Sequence, residues 1–224
     1  MASTAALPPT VPALHALAEH VLGAGLYAAT AKIGLRAASG GFATPDGATE
    51  ALGGRWIVVG DELRIEAPDA SSTAVPITTL RAAGEFVGIV PGMPDAAYTP
   101  VTPLDLDAPL AVDAEVALMV GDWLALGQEA LTRLAAVHPD DGPTTIQLWP
   151  EHFDLGSTLS EINFGFSPGD EALPEPYAYV GPWAPKEGAF WNQPFGAART
   201  KSQLTTVDDV LAFFEEGRSL ALGQ

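Results

Sequence analysis

The sequence predicts an α+β fold, an antiparallel sheet with helices packed on it. Three observations point there. Strand-like segments come in runs instead of alternating with helices, which disfavours a doubly wound sheet. The helical segments carry apolar residues at three- and four-residue spacing. Both halves of the chain show a helix, about three strands and a helix, leaving open two similar helix-strands-helix halves, although no residue-level repeat is visible.

Taken in order, residues 1–10 read as a disordered tail and 11–224 as a single domain, with a subdivision near 91–112 left open. Thr10 is a candidate N-cap, with Val11 and Pro12 in the first turn of a helix. Leu14, Leu17, Ala18, Val21 and Leu22 fall on one face of that helix, which runs towards Leu35 with a kink expected at Gly23 and Gly25. RWIVVGDELRIEA (55–67) is two β-rich runs around the turn pair Gly60-Asp61, a hairpin signal, and a further strand follows near 73–78. TTLRAAGEFVG reads as a short helix. Residues 91–112 hold five prolines and no period, and form a connector or ordered loop.

Asp113 caps the longest helix, which extends to about His138 with Val116, Met119, Val120, Trp123, Leu126, Leu131 and Leu134 as its stripe. TTIQLWPEHFDL and EINFGF then read as paired strands, the second alternating Ile162, Phe164 and Phe166 against Glu161, Asn163 and Gly165. PYAYVG is a third strand, and Thr206 caps a closing helix.

Composition narrows the function classes. The formal charge is −18 and there is no cysteine, which excludes thiol catalysis and cysteine zinc sites. From Ala82 to Pro185 sixteen acids face one base, Arg133, a regional net of −15. Nucleic acid and anionic membrane are disfavoured as partners, because both need clustered Lys and Arg. Cations, basic partners and neutral ligands remain. Without a basic leader or an 18-residue apolar run, the chain reads as cytoplasmic. Oligomeric state is not readable.

Ten of the eighteen aromatic residues lie between Trp149 and Phe195, together with seven prolines, so chemistry is sought there. His152 and Asp154 stand two apart on an expected strand and would leave one face together, able to share a divalent ion or an acid-base task. Glu161, Asp170, Glu171 and Glu175 are further carboxylates for such a site. A histidine satisfied by a carboxylate at a sheet edge is the commoner outcome of such a pair. Carboxylate pairs flanked by aromatics also suit glycoside hydrolysis or a sugar-binding pocket. His15 and His20, five apart, are too far round an α-helix to share a ligand. GAGLYA (23–28) matches G-x-G-x-x-A but follows a helical pattern, not a strand, and SPGD is a turn instead of a serine elbow. Lys186, Arg199 and Lys201 are the basic residues nearest the aromatic loop, where they could meet an anionic group of a ligand.

The segments WPEHFD (149–154), SPGD (167–170) and PEPYAYVGPW (174–183) resemble those of an uncharacterised actinobacterial family, and more distantly a larger bacterial family of unknown function. The resemblance spans most of residues 11–220 and implies a shared fold, with no activity attached. Its positions coincide with the chemical candidates. The leading expectation is therefore a pocket for a small molecule or metal ion between the strands at 146–166 and 176–181, roofed by 182–195. Trp149, Tyr177, Tyr179, Trp183 and Trp191 would bind ligand, and His152, Asp154 and Glu175 would act, His152 as acid-base group or metal ligand. The alternative is a non-catalytic acidic protein-interaction module meeting a basic partner.

Overall fold

The computed structural model describes residues 7–223, and most of the expected tail lies outside them. It has the α+β architecture, with two five-stranded antiparallel sheets and helices. The chain divides into two compact units: residues 8–122 with 148–153, and 123–147 with 154–223. The 91–112 segment lies wholly inside the first.

The first unit opens with α1 (Thr10–Leu17), a π-helical segment (Ala18–Gly23) and α2 (Ala24–Thr30). The irregularity expected near Gly23 and Gly25 takes the form of a π segment that ends at Gly23. The helix ends at Ala31, left-handed at φ 57°, short of Leu35. Thr10 does not cap. Its hydroxyl donates to Ala111 O at 3.3 Å and accepts from Asp113 N at 2.9 Å, tying the end of the long connector to the helix start. Gly25 is small because Trp56 occupies the space a side chain would need, with ring atoms 2.3 Å from an added Cβ.

Strands β1 (Arg36–Ala38), β2 (Gly41–Ala43), β3 (Arg55–Val59), β4 (Glu62–Glu66) and β5 (Ser72–Pro76) form a meander in sequence order, interrupted by the short α3 (Thr49–Leu52). The expected hairpin pairs Val59 with Glu62. The β1–β2 hairpin is invisible in the sequence, since RAASGGFA has almost no strand formers. Helix α4 (Leu80–Val87) is capped by Thr79, and residues 88–112 contain no helix or strand. Leu14, Leu17, Leu22, Leu26, Leu35, Phe42, Trp56, Val58 and Leu63 form the core, each at most 2% exposed.

The long helix α5 (Ala114–Val137) starts on an Asp113 cap, with Val116 N donating to Asp113 Oδ1 at 3.0 Å, and passes from the first unit to the second at Trp123.

The second sheet has the order β10-β9-β8-β7-β6: β6 (Gln147–Trp149), β7 (Asp154–Leu159), β8 (Ile162–Ser167), β9 (Tyr177–Pro182) and β10 (Ala197–Thr200). The β7–β8 turn uses Ser160 and Glu161 at φ 47° and 63°, both in the left-handed region that favours Gly or Asn. Helix α6 (Val207–Leu222) begins with a full capping box at Thr206 and Asp209. It packs on one face of the sheet: Phe214 meets Phe164 and Phe166 edge-on at 5.2 and 5.7 Å, and Gly217 lies against Val180. Trp123 packs edge-on to Phe166 and donates its indole N–H to Ser167 O at 3.0 Å. Arg218 grips Asp141 at 2.6 Å with both side chains largely buried.

Candidate functional site

The WPEHFD segment is not one strand. After Trp149 the backbone folds into a tight turn, His152 N and Phe153 N both donating to Trp149 O at 3.3 and 2.8 Å, and Phe153 sits at φ 51°. A bulky residue in that region is a genuine outlier, sustained only where surrounding packing demands it. Here the demand is visible. The Phe153 ring is 2% exposed, stacks on His15 with centroids 5.5 Å apart and meets Phe42 edge-on at 5.3 Å. His15 Nε2 completes the anchor by donating to Pro150 O at 2.8 Å.

This corrects the shared-face reading of His152 and Asp154. His152 is exposed on the turn and belongs to the first unit, whereas Asp154 opens β7 in the second. The strand alternation that would align them is broken by the turn between them.

Each remaining candidate has a definite place. In the second unit Tyr179 lies across Gly165 and Gly156, its ring 2.4 Å from where a Gly165 Cβ would stand, and its hydroxyl donates to Asp154 Oδ2. Tyr177 donates to Asp170 Oδ2 at 2.7 Å. Burial first, and then the adjoining carboxylates, hold both phenols well above the ordinary tyrosine range. Glu175 accepts from Ser202 N at 2.7 Å, holding the β10–α6 connection.

The loop from Pro182 to Phe195 was expected to roof a pocket. Trp183 is instead 63% exposed, its indole N–H donating to Asn163 Oδ1 at 3.1 Å, and Trp191 packs edge-on against Phe190. The loop returns as β10, and Arg199 lies over the Phe213 and Phe190 rings at 5.4 and 5.9 Å, a cation-π stack. Trp149 is half-buried in the first unit.

The densest polar cluster lies elsewhere, in the first unit, on the π segment. Glu19 is fully buried and accepts from Val101 N at 3.0 Å, from Thr102 N at 2.8 Å and from the Thr102 hydroxyl. His20, 1% exposed, accepts at Nδ1 from Met93 N (3.3 Å) and donates from Nε2 to Thr102 O (3.0 Å), which fixes the neutral imidazole with its proton on Nε2. Its own carbonyl accepts from Gly92 N at 2.9 Å. All three polar groups of Thr102 are thus held by two consecutive helical residues.

Tyr98 stands beside them. Burial, with the charges of Glu19 and Glu151, pushes its phenol far up. One Glu151 oxygen is buried on the turn next to His152. His15 feels Glu19, His152 and His20, and burial pulls its imidazole below the ordinary histidine range. The sequence offers little signal for this cluster, because Glu19 lies off the face of Leu14, Leu17, Ala18, Val21 and Leu22.

No family model matches the chain, no curated protein matches it, and no solved structure matches it. Among the described residues no three His, Asp or Glu side chains gather into a metal-binding group, and no helix is long and apolar enough to cross a membrane.

Proposed function

We propose that the chain is a non-catalytic binding module for a cationic partner. The observation that carries this reading is how the polar candidates are used. His15, His20, Glu19, Glu175 and Asp170 each hold backbone groups of this chain, Asp154 holds Tyr179, and the exposed His152 stands on a turn, off the strand that Asp154 opens. A catalytic group has to present a nucleophile, acid or base to a substrate, and these side chains present theirs to the fold. Meanwhile the region 82–185 keeps its net of −15, with arginines meeting Asp107, Glu129 and Asp141. An excess of that size steers basic partners and speeds their encounter.

The test is titration of the full chain with an oligolysine peptide at low salt and at several-fold higher salt. Binding that weakens steeply with salt is expected. Absence of binding, together with thermal stabilisation by a sugar, nucleotide or divalent ion that His152→Ala or Asp154→Asn abolishes, overturns the reading in favour of a small-ligand site.

A further inference from the structure

Resting on that reading, we infer that the cationic partner docks on the connector between α4 and α5, and that it is amphipathic, presenting aliphatic as well as basic side chains. Val90, Val101 and Leu104 are 85%, 61% and 52% exposed. The π segment holds the loop stretches that carry them. His20 joins Gly92 and Met93 to Thr102, Glu19 holds Val101 and Thr102, and the Leu104 side chain approaches Gly92, 3.3 Å from where a Cβ would stand. A loop without helix or strand is thereby fixed by a fully buried carboxylate and a nearly fully buried imidazole.

Two costs of this arrangement need a return. Large aliphatic side chains left in water lose the burial that would stabilise them, and exposed aliphatic groups clustered on one loop mark interaction sites. A carboxylate and an imidazole placed in the core need several well-aligned hydrogen bonds to offset their desolvation. Spending both on a surface loop preorganises it, and a preorganised loop gives up little entropy when a partner docks.

Charge selects the partner. Residues 82–122 contain seven carboxylates and no base, Arg81 just before them is paired with Asp107, and Glu85, Asp95 and Asp105 of this stretch are exposed. An acidic or neutral apolar partner would meet uncompensated repulsion or desolvation there. A segment alternating basic and aliphatic residues satisfies both features at once.

Isothermal titration of the full chain with an amphipathic Leu/Lys helical peptide, and with oligolysine of equal charge, tests this. The amphipathic peptide is expected to bind more tightly. The triple substitution Val90→Ser, Val101→Ser, Leu104→Ser is expected to weaken it by about tenfold or more, since the lost contact is apolar area, and to leave oligolysine unchanged. These side chains are exposed, so the variant keeps its fold, checked by an unchanged melting temperature. Thr102→Val, which removes one hydroxyl from Glu19 and touches none of the aliphatic trio, is expected to weaken only the amphipathic peptide. Equal binding of both peptides, or indifference to the triple substitution, overturns the docking site while leaving the cationic-partner reading intact. No binding of either peptide overturns that reading as well. Self-association that the triple substitution abolishes identifies a second copy as the occupant and overturns the cationic segment.

Discussion

The Tyr179 hydroxyl reaches Asp154 by lying flat across the β8 glycine, so that Gly156, Gly165 and Tyr179 form a row over three strands, with Asp154 at its end. The tyrosine takes the place of the side chains those glycines lack, and its phenol is spent on a carboxylate. Tyr179→Phe keeps the covering ring and removes the bond. A hydrogen bond to a charged group contributes about 1.5–3 kcal/mol, so the variant is expected to unfold at lower urea by that amount. Gly165→Ala attacks the same contact from below, and a loss of about 1–3 kcal/mol is expected from overpacking.

The β7–β8 turn offers a gain. Glu161 sits at φ 63° with an exposed side chain, a conformation that costs a non-glycine residue about 1–2 kcal/mol. Glycine removes that cost and adds about 0.5–1 kcal/mol of unfolded-chain entropy. Glu161→Gly is therefore expected to raise stability by about 0.5–1 kcal/mol, read as a shift in urea midpoint at constant slope. A lower midpoint would show that the turn relaxes around Glu161 at no cost.

Gly121 on α5 lies against the backbone of the β1–β2 turn, its absent Cβ 2.2 Å from Gly40 C and 2.3 Å from Gly41 N. Backbone cannot swing aside as a flexible side chain can. Gly121→Ala is expected to cost about 3 kcal/mol, the upper part of the overpacking range, despite alanine's better helix propensity. A calorimetric melting temperature within a degree or two of the parent would contradict it.

His15 gives the acid limb. Burial lowers its folded pKa below the ordinary 6.5, so on acidification the unfolded chain takes up this proton before the folded one does. Stability contributed by His15 is thus present at neutral pH and declines as pH falls below about 6.5, down to its folded pKa. Replacement by Gln, which retains a donor for Pro150 O, is expected to flatten the stability profile in that window. An unchanged profile would assign the acid limb to carboxylates.

Much of this architecture is legible from residues alone. The Gly60-Asp61 hairpin, the short helix in TTLRAAGEFVG, the Asp113 and Thr206 caps and the alternation of Ile162, Phe164 and Phe166 are local signals, and the structure follows them. The β1–β2 hairpin escapes because tertiary context, not propensity, makes RAASGGFA a pair of strands. The strand drawn through His152 fails because Phe153 adopts a left-handed backbone, which no periodicity announces. The π segment escapes for a similar reason: AEHVLG reads as ordinary helix, and its widening depends on the connector it holds, whose partner atoms are more than seventy residues away.

Both sheets are meanders, each β-pair joining strands consecutive in sequence. Such pairing closes short loops, so sheet formation is expected to be fast for this chain. The contacts that lag are those spanning great stretches of sequence, among them His15 with Pro150, 135 residues apart, and Glu19 with Val101 and Thr102, 82 and 83 residues apart. The connector is then expected to seat on the π segment after the first unit's sheet has formed, so the chain acquires its sheet before it acquires the surface proposed to meet a partner.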